Sequence, residues 1–111
     1  MDSLAVYDRE LAIERAGGSP ELATDLFGML LRELPLYRSQ LESALAANDL
    51  ATLQRHVHKL HGSATYTGVS ALRHAVATLE VDLKRGLTER LVPQVHDVLQ
   101  EIDRVLSFGR Q

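Results

Sequence analysis

Cysteine is missing from the 111 residues, and aromatic side chains make up only 5% of them. A chain without thiols has no disulfide scaffold, no thiol nucleophile and no thiolate zinc or iron–sulfur site, and its composition suits a reducing compartment. Long apolar runs are missing as well. The longest, Leu26-Phe27-Gly28-Met29-Leu30-Leu31, falls far short of the roughly 20 residues a membrane span needs. The amino-terminal stretch with Asp2, Asp8 and Glu10 lacks the cationic flank and apolar segment of a signal peptide. A soluble domain without direct membrane contact is therefore expected. Nor is there an excess of positive charge: 12 Lys and Arg stand against 15 Asp and Glu, for a net charge of −3. No window gathers the basic residues that a phosphate backbone attracts, so nucleic acid is not an expected partner.

What is present favours helix. Leu, Ala, Glu, Arg and Gln dominate, and no alternating segment is flanked by hairpin turns. Residues 1–111 make one domain, able to bury roughly 65% of its unfolded surface around one core. Asp8 is placed to cap a short helix over about 9–16, which Gly17-Gly18 ends. Ser19-Pro20-Glu21 supplies a cap, a first-turn proline and an early acid for a helix over about 20–47. Pro35 interrupts this segment, and a helix kinked there or two abutting helices fit the pattern equally. Pro35, Gly28 and the stripe Leu22, Leu26, Met29 and Leu30 read as core packing. Asn48-Asp49 opens a helix over about 50–67 with Leu50, Leu53, Val57, Leu60 and Ala64 on one face. Val69-Ser70 reads as a hydrophobic staple and a cap for a helix over about 71–85 carrying Leu72, Val76, Leu79 and Leu83. Pro93 fits the first turn of a last helix, about 92–106, and the tail from Ser107 is expected to fray. The fold class is all-α: an antiparallel four-helix bundle with a short additional amino-terminal helix.

Three of the five histidines crowd into His56-Val57-His58-Lys59-Leu60-His61. At ~100° per residue with His58 at zero, the apolar stripe falls at roughly 200–280°. Ala51, Gln54, Arg55, His61, Gly62 and Thr65 lie within about 60° of His58, whereas His56 sits near 160°. His58 thus centres a solvent-facing strip. Gly62, one turn later, costs about 1 kcal/mol relative to alanine inside a helix, and leaves room on the imidazole for a large group or a close partner. A neutral imidazole is a nucleophile toward phosphorus, and Lys59 or a protonated His61 would offset the charge of the product. A lone exposed histidine is ordinarily only a surface residue, as His74 and His96 are read here. His58 and His61 at i, i+3 could hold a metal only if another helix supplied a further ligand, so no metal site is expected.

The run His58-Lys59-Leu60-His61-Gly62-Ser63-Ala64, followed by Gly68, Leu72 and Leu79-Glu80, resembles the signature of the histidine phosphotransfer (HPt) family. The resemblance spans nearly the whole chain, including Arg15 to Leu22 and Glu33-Leu34-Pro35. With His61-Gly62-Ser63 and Tyr66-Thr67-Gly68-Val69, it is most similar to the carboxy-terminal module of GacS/BarA-type hybrid sensor histidine kinases. The resemblance implies that His58 accepts a phosphoryl group from an aspartyl phosphate on one receiver domain and passes it to the aspartate of another. It implies that Gly62 admits the phosphoryl group and the partner. Relatives commonly carry Lys where His61 stands, which makes the contribution of His61 dependent on pH. Many place a Gln where Glu80 stands. A carboxylate there would accept the Nδ1 proton and leave Nε2 as nucleophile.

No phosphate loop, ATP site or acidic magnesium cluster is legible, so the chain is expected to be a phosphocarrier without kinase activity of its own. It would bind no cofactor itself, magnesium being expected on the partner. The expected partners are receiver domains of response regulators or hybrid kinases, docking around Ala51, Gln54, Arg55, Thr65 and Tyr66 with Arg73 and Ala77 of the next helix. A monomer is expected, in the cytoplasm, or at the cytoplasmic face of the inner membrane as part of a hybrid sensor kinase. The alternative is a bundle that docks a receiver without taking up phosphate.

Overall fold

The structure, a computed structural model, describes residues 4–110; residues 1–3, with the Asp2 considered above, and Gln111 lie outside the described residues. Its elements are α1 (Arg9–Arg15), α2 (Pro20–Ala46), α3 (Leu50–Thr65), α4 (Ser70–Lys84) and α5 (Leu91–Gly109), with no strand among the described residues. Side-chain caps set three of the starts: the Leu11 amide donates to Asp8, the Leu22 amide to Ser19 and the Thr52 amide to Asp49, each satisfying an amide that the helix leaves unpaired. Neighbours in space run α2, α3, α4, α5 and back to α2. The short links 47–49, 66–69 and 85–90 force consecutive helices antiparallel, which closes a four-helix bundle. The small α1 lies on α2 through Ala12, Ala16 and Ala23, whose methyl side chains let the two backbones come close.

α2 is one unbroken helix through Pro35. Proline removes one hydrogen bond and crowds the preceding turn, at about 3 kcal/mol. Here it faces solvent, while Leu30, Leu34 and Leu41 on the inner face are almost wholly buried. Burial of each such leucine contributes about 1.5–3 kcal/mol, so packing outweighs the local cost.

The core expected on α2 needs correction. Leu22 and Met29 are 45% and 49% exposed, Pro35 is exposed and Gly28 is only half-buried. The inward residues are Ala23, Leu30, Leu34, Leu41 and Ala44. Leu22 and Met29 each precede an inward position by one residue, or ~100° of rotation, and so fall outside the seam. Leu50, at the first position of α3, is likewise 37% exposed. Three boundaries also shift. α3 stops at Thr65, where the hydroxyls of Thr65 and Thr67 take the carbonyls of His61 and Ser63. Ser70 is not the cap of α4, because the buried Val69 holds that position without a side-chain bond. The tail does not fray at Ser107: α5 runs on to Gly109, with Phe108 5.5 Å from the Tyr7 ring, which itself stacks on Phe27 at 4.2 Å.

Residues 5–8 tie down the link between α3 and α4. The Asp8 amide donates to the Gly68 carbonyl at 2.8 Å and the Ala71 amide to the Ala5 carbonyl at 2.9 Å. These bonds fix where α4 begins relative to the histidine-bearing α3, and hence which α4 side chains meet it.

Candidate functional site

Leu53, Val57, Leu60 and Ala64 turn the inner face of α3 into the core, which leaves His58 on the outer face with its side chain 72% exposed. From α4, Leu79 and Leu83 enter the core while Glu80, between them in sequence, reaches across to α3. Its two carboxylate oxygens are both engaged. Oε2 lies 2.6 Å from Nδ1 of His58 and Oε1 lies 2.6 Å from Nδ1 of His61. The Lys84 ammonium, one turn further along α4, is 3.5 Å from Oε2. Glu80 itself is buried, with its side chain 6% exposed.

Burial works to raise the carboxyl pKa of Glu80, yet the hydrogen bonds from His58 and His61, with the charge of Lys84, outweigh it and bring the value below the ordinary 4.5. Glu80 is therefore ionised near neutrality. A carboxylate only accepts, so Nδ1 of His58 is the donor and its Nε2 carries the lone pair, directed away from Glu80 and toward solvent. That is the arrangement of a nucleophilic imidazole with a buried counter-charge. A linked effect on stability follows. A lowered folded-state pKa contributes stability that is present above the unfolded value and lost as the pH falls through the folded one. Acid titration followed by thermal unfolding should thus show wild type losing stability below about pH 4.5 more steeply than Glu80→Gln. Parallel curves would contradict the assignment of charge to Glu80.

Around His58, Ala51, Gln54, Arg55, Lys59, Glu80 and Lys84 line a shallow depression of about 500 Å³. Lys59 is exposed and makes no ion pair among the described residues. Gly62 opens onto a second, mainly apolar depression of about 450 Å³, with Leu22, Leu26 and Met29 of α2 and the exposed Tyr66 among its lining. A Cβ built on Gly62 meets nothing within 4 Å, so the notch is open to solvent and serves no internal packing. Thr65 turns its hydroxyl back to the His61 carbonyl. Arg73 is exposed and Ala77 half-buried on α4, and neither lines either depression. His56 lies in the groove toward α2 with Tyr37 and Gln40; His74 and His96 are exposed.

Sequence reasoning missed Lys84, although its i, i+4 spacing from Glu80 was a signal. It also missed the exposure of Leu22 and Met29, for which no signal existed without the bundle. Among the described residues no three His, Cys, Asp or Glu side chains are grouped to hold a metal ion, and no helix is long and apolar enough to cross a membrane.

Comparison with known proteins bears on this geometry. The family model described as the Hpt domain matches residues 25–107. The signal transduction histidine-protein kinase BarA of Shigella flexneri is 37% identical over 102 residues, covering 91% of this chain and 11% of that protein. The sensor histidine kinase GacS of Pseudomonas protegens is 40% identical over 82 residues, 74% of this chain and 9% of that protein. The chain thus spans about a tenth of the length of these curated relatives. The crystal structure of the HPT domain from an Hpt sensor hybrid histidine kinase of Shewanella superposes with a TM-score of 0.89 at 33% identity, covering 96% of this chain and 92% of that one.

Proposed function

The chain belongs to the Hpt domain family, and from that premise we propose that it is the phosphotransfer module of a two-component phosphorelay, with His58 as the phosphoacceptor. The observation that carries this reading is the buried Glu80 carboxylate 2.6 Å from Nδ1 of an otherwise exposed imidazole. The Nε2 lone pair attacks the phosphorus of an aspartyl phosphate on a receiver domain. The Nε2–P bond forms, the P–O bond to the aspartate breaks, and the electron pair returns to that carboxylate. No proton has to leave. The ring retains its Nδ1 proton and becomes cationic, and Glu80 neutralises the charge through the bond already in place. Passing the group to a second receiver reverses these steps. Lys59 and His61 flank the phosphoryl group, and magnesium on the receiver supplies neutralisation of the transferring oxygens.

The receiver docks over the two depressions flanking the His58–Gly62 ridge. The apolar contact comes from Leu22, Leu26, Met29 and Tyr66, and the polar rim from Gln54 and Arg55, an anatomy suited to a transient relay complex. The domain acts as a monomeric carrier without kinase activity, in the cytoplasm or on the cytoplasmic face of the inner membrane when part of a hybrid kinase. The test is to mix the domain with a phosphorylated receiver and magnesium and to locate acid-labile, base-stable phosphate. Label on His58 is expected. A folded domain that takes no label from several competent receivers would instead be a docking module.

The notch predicts a change of opposite sign in two properties. Gly62→Gln should raise stability by about 0.5–1 kcal/mol, since glutamine favours helix over glycine and its Cβ meets nothing within 4 Å. Transfer from the receiver should nonetheless slow by roughly tenfold or more, about 1.4 kcal/mol of lost approach. Stopped transfer assays and thermal unfolding measure both, and an unchanged transfer rate would remove the role given to Gly62.

A further inference from the structure

One carboxylate serves two histidines here, and only one of them is needed as nucleophile. His61 follows His58 by three residues and so shares its face of α3. Its Nδ1 is held by Oε1 of Glu80 as tightly as Nδ1 of His58 is held by Oε2. Both bonds require a donor nitrogen, because an ionised carboxylate has no proton to give. A neutral imidazole has one N–H. Once it is committed at Nδ1, Nε2 is left with a lone pair that repels phosphoryl oxygens.

We infer that Glu80 commits His61, as well as His58, to the Nδ1–H form, so that His61 donates to a phosphoryl group on His58 only as a doubly protonated imidazolium. Glu80 is thus a positioning residue acting through His61, and this rests on His58 being the phosphoacceptor. The phosphorylated domain is held more firmly while His61 carries both ring protons than when it carries one. The charged group in contact with His61 is Glu80 through Oε1, while Lys84 on α4 and His58 on α3 both hold the other oxygen, Oε2. Arg73 lies two turns before Glu80 on α4, about 10 Å along the axis. On the α2 side, Glu33 and Tyr37 line grooves with Gly62, Ser63, His56 and Lys59, and His61 lines neither groove.

Two measurements test the inference. Long-range proton–nitrogen correlation spectra of the unphosphorylated domain report the tautomer of each neutral imidazole. Nδ1–H is expected at both His58 and His61. In Glu80→Gln, whose amide accepts through one atom and donates through the other, one of the two rings should switch to Nε2–H. An Nε2–H tautomer at His61 in the wild type, with normal phosphoryl uptake, would overturn the inference alone. The second measurement is the lifetime of phosphate on His58 from pH 6 to pH 9 in wild type, His61→Gln and His61→Lys. The intrinsic lability of the N–P bond is common to all three and cancels in the ratios. Wild type should outlast His61→Gln several-fold at the acid end and match it at the alkaline end, while His61→Lys, a permanent donor, should keep its advantage throughout. Wild-type and His61→Gln profiles that run parallel would overturn the inference, and a domain that never takes up phosphate would remove both it and the phosphoacceptor reading beneath it.

Discussion

His58→Gln is expected to reduce phosphoryl uptake from a receiver by at least about a hundredfold, to background, because the nitrogen that bonds phosphorus is gone and an amide is no nucleophile. The fold should survive. The His58 side chain is 72% exposed, so no core packing is lost, and the cost is confined to its bond with the buried Glu80, about 1–3 kcal/mol. Glutamine is also the better helix former, and Glu80 keeps its bonds to His61 and Lys84. The variant should therefore stay helical and unfold cooperatively, with a modest loss of stability, while labelling is lost. Residual label at His61 in this variant would show that either imidazole held by Glu80 serves as acceptor, and the assignment to His58 would fall.

Gly68→Ala should have the largest effect on stability. Gly68 sits at φ +78°, and an added Cβ would stand 2.6 Å from the Asp8 carbonyl oxygen and 2.9 Å from Cβ of Ala12. The left-handed conformation alone costs a side chain about 1–2 kcal/mol. The clash is with backbone and with the first turn of α1, neither of which can swing aside as a long side chain would. Relief requires residues 5–8 to lift from the α3–α4 link, breaking the bond from the Asp8 amide to the Gly68 carbonyl. A total loss of about 3–4 kcal/mol is expected, or a drop in Tm of roughly 12–20 °C for a domain of this size. Gly86→Ala is the control: its φ is +70° but nothing lies within 4 Å of the added Cβ, so only the conformational part applies. Equal losses at the two positions would show that the packing of the amino-terminal segment on Gly68 contributes nothing.

Much of this site was legible before any coordinates. A helical wheel needs only local geometry, and it separated His58, His61 and Gly62 from the apolar face and set His56 aside. The caps Asp8, Ser19 and Asp49 were equally local, since each acts on an amide three residues away. The α2 surface was not legible. Leu22, Leu26, Met29 and Leu30 recur at helical spacing, and nothing in that spacing tells which edge of a broad apolar face meets the neighbouring helices. Arg73 and Ala77, seven and three residues before Glu80, share its face of α4 and line neither depression.

The sequence by itself determined five helices, an exposed histidine with a glycine one turn away, and membership in the Hpt domain family. These follow from periods, caps and motif residues that act over a few positions. Tertiary structure decided that one buried carboxylate serves both His58 and His61, that the apolar flank of α2 opens beside Gly62, and that Phe108 packs in the tail on Tyr7. Each of these depends on the rotation and offset of one helix against another. That is a property of packing, fixed by the Leu-rich seam and by the anchoring of residues 5–8 on the α3–α4 link, and invisible to any periodicity within a single helix.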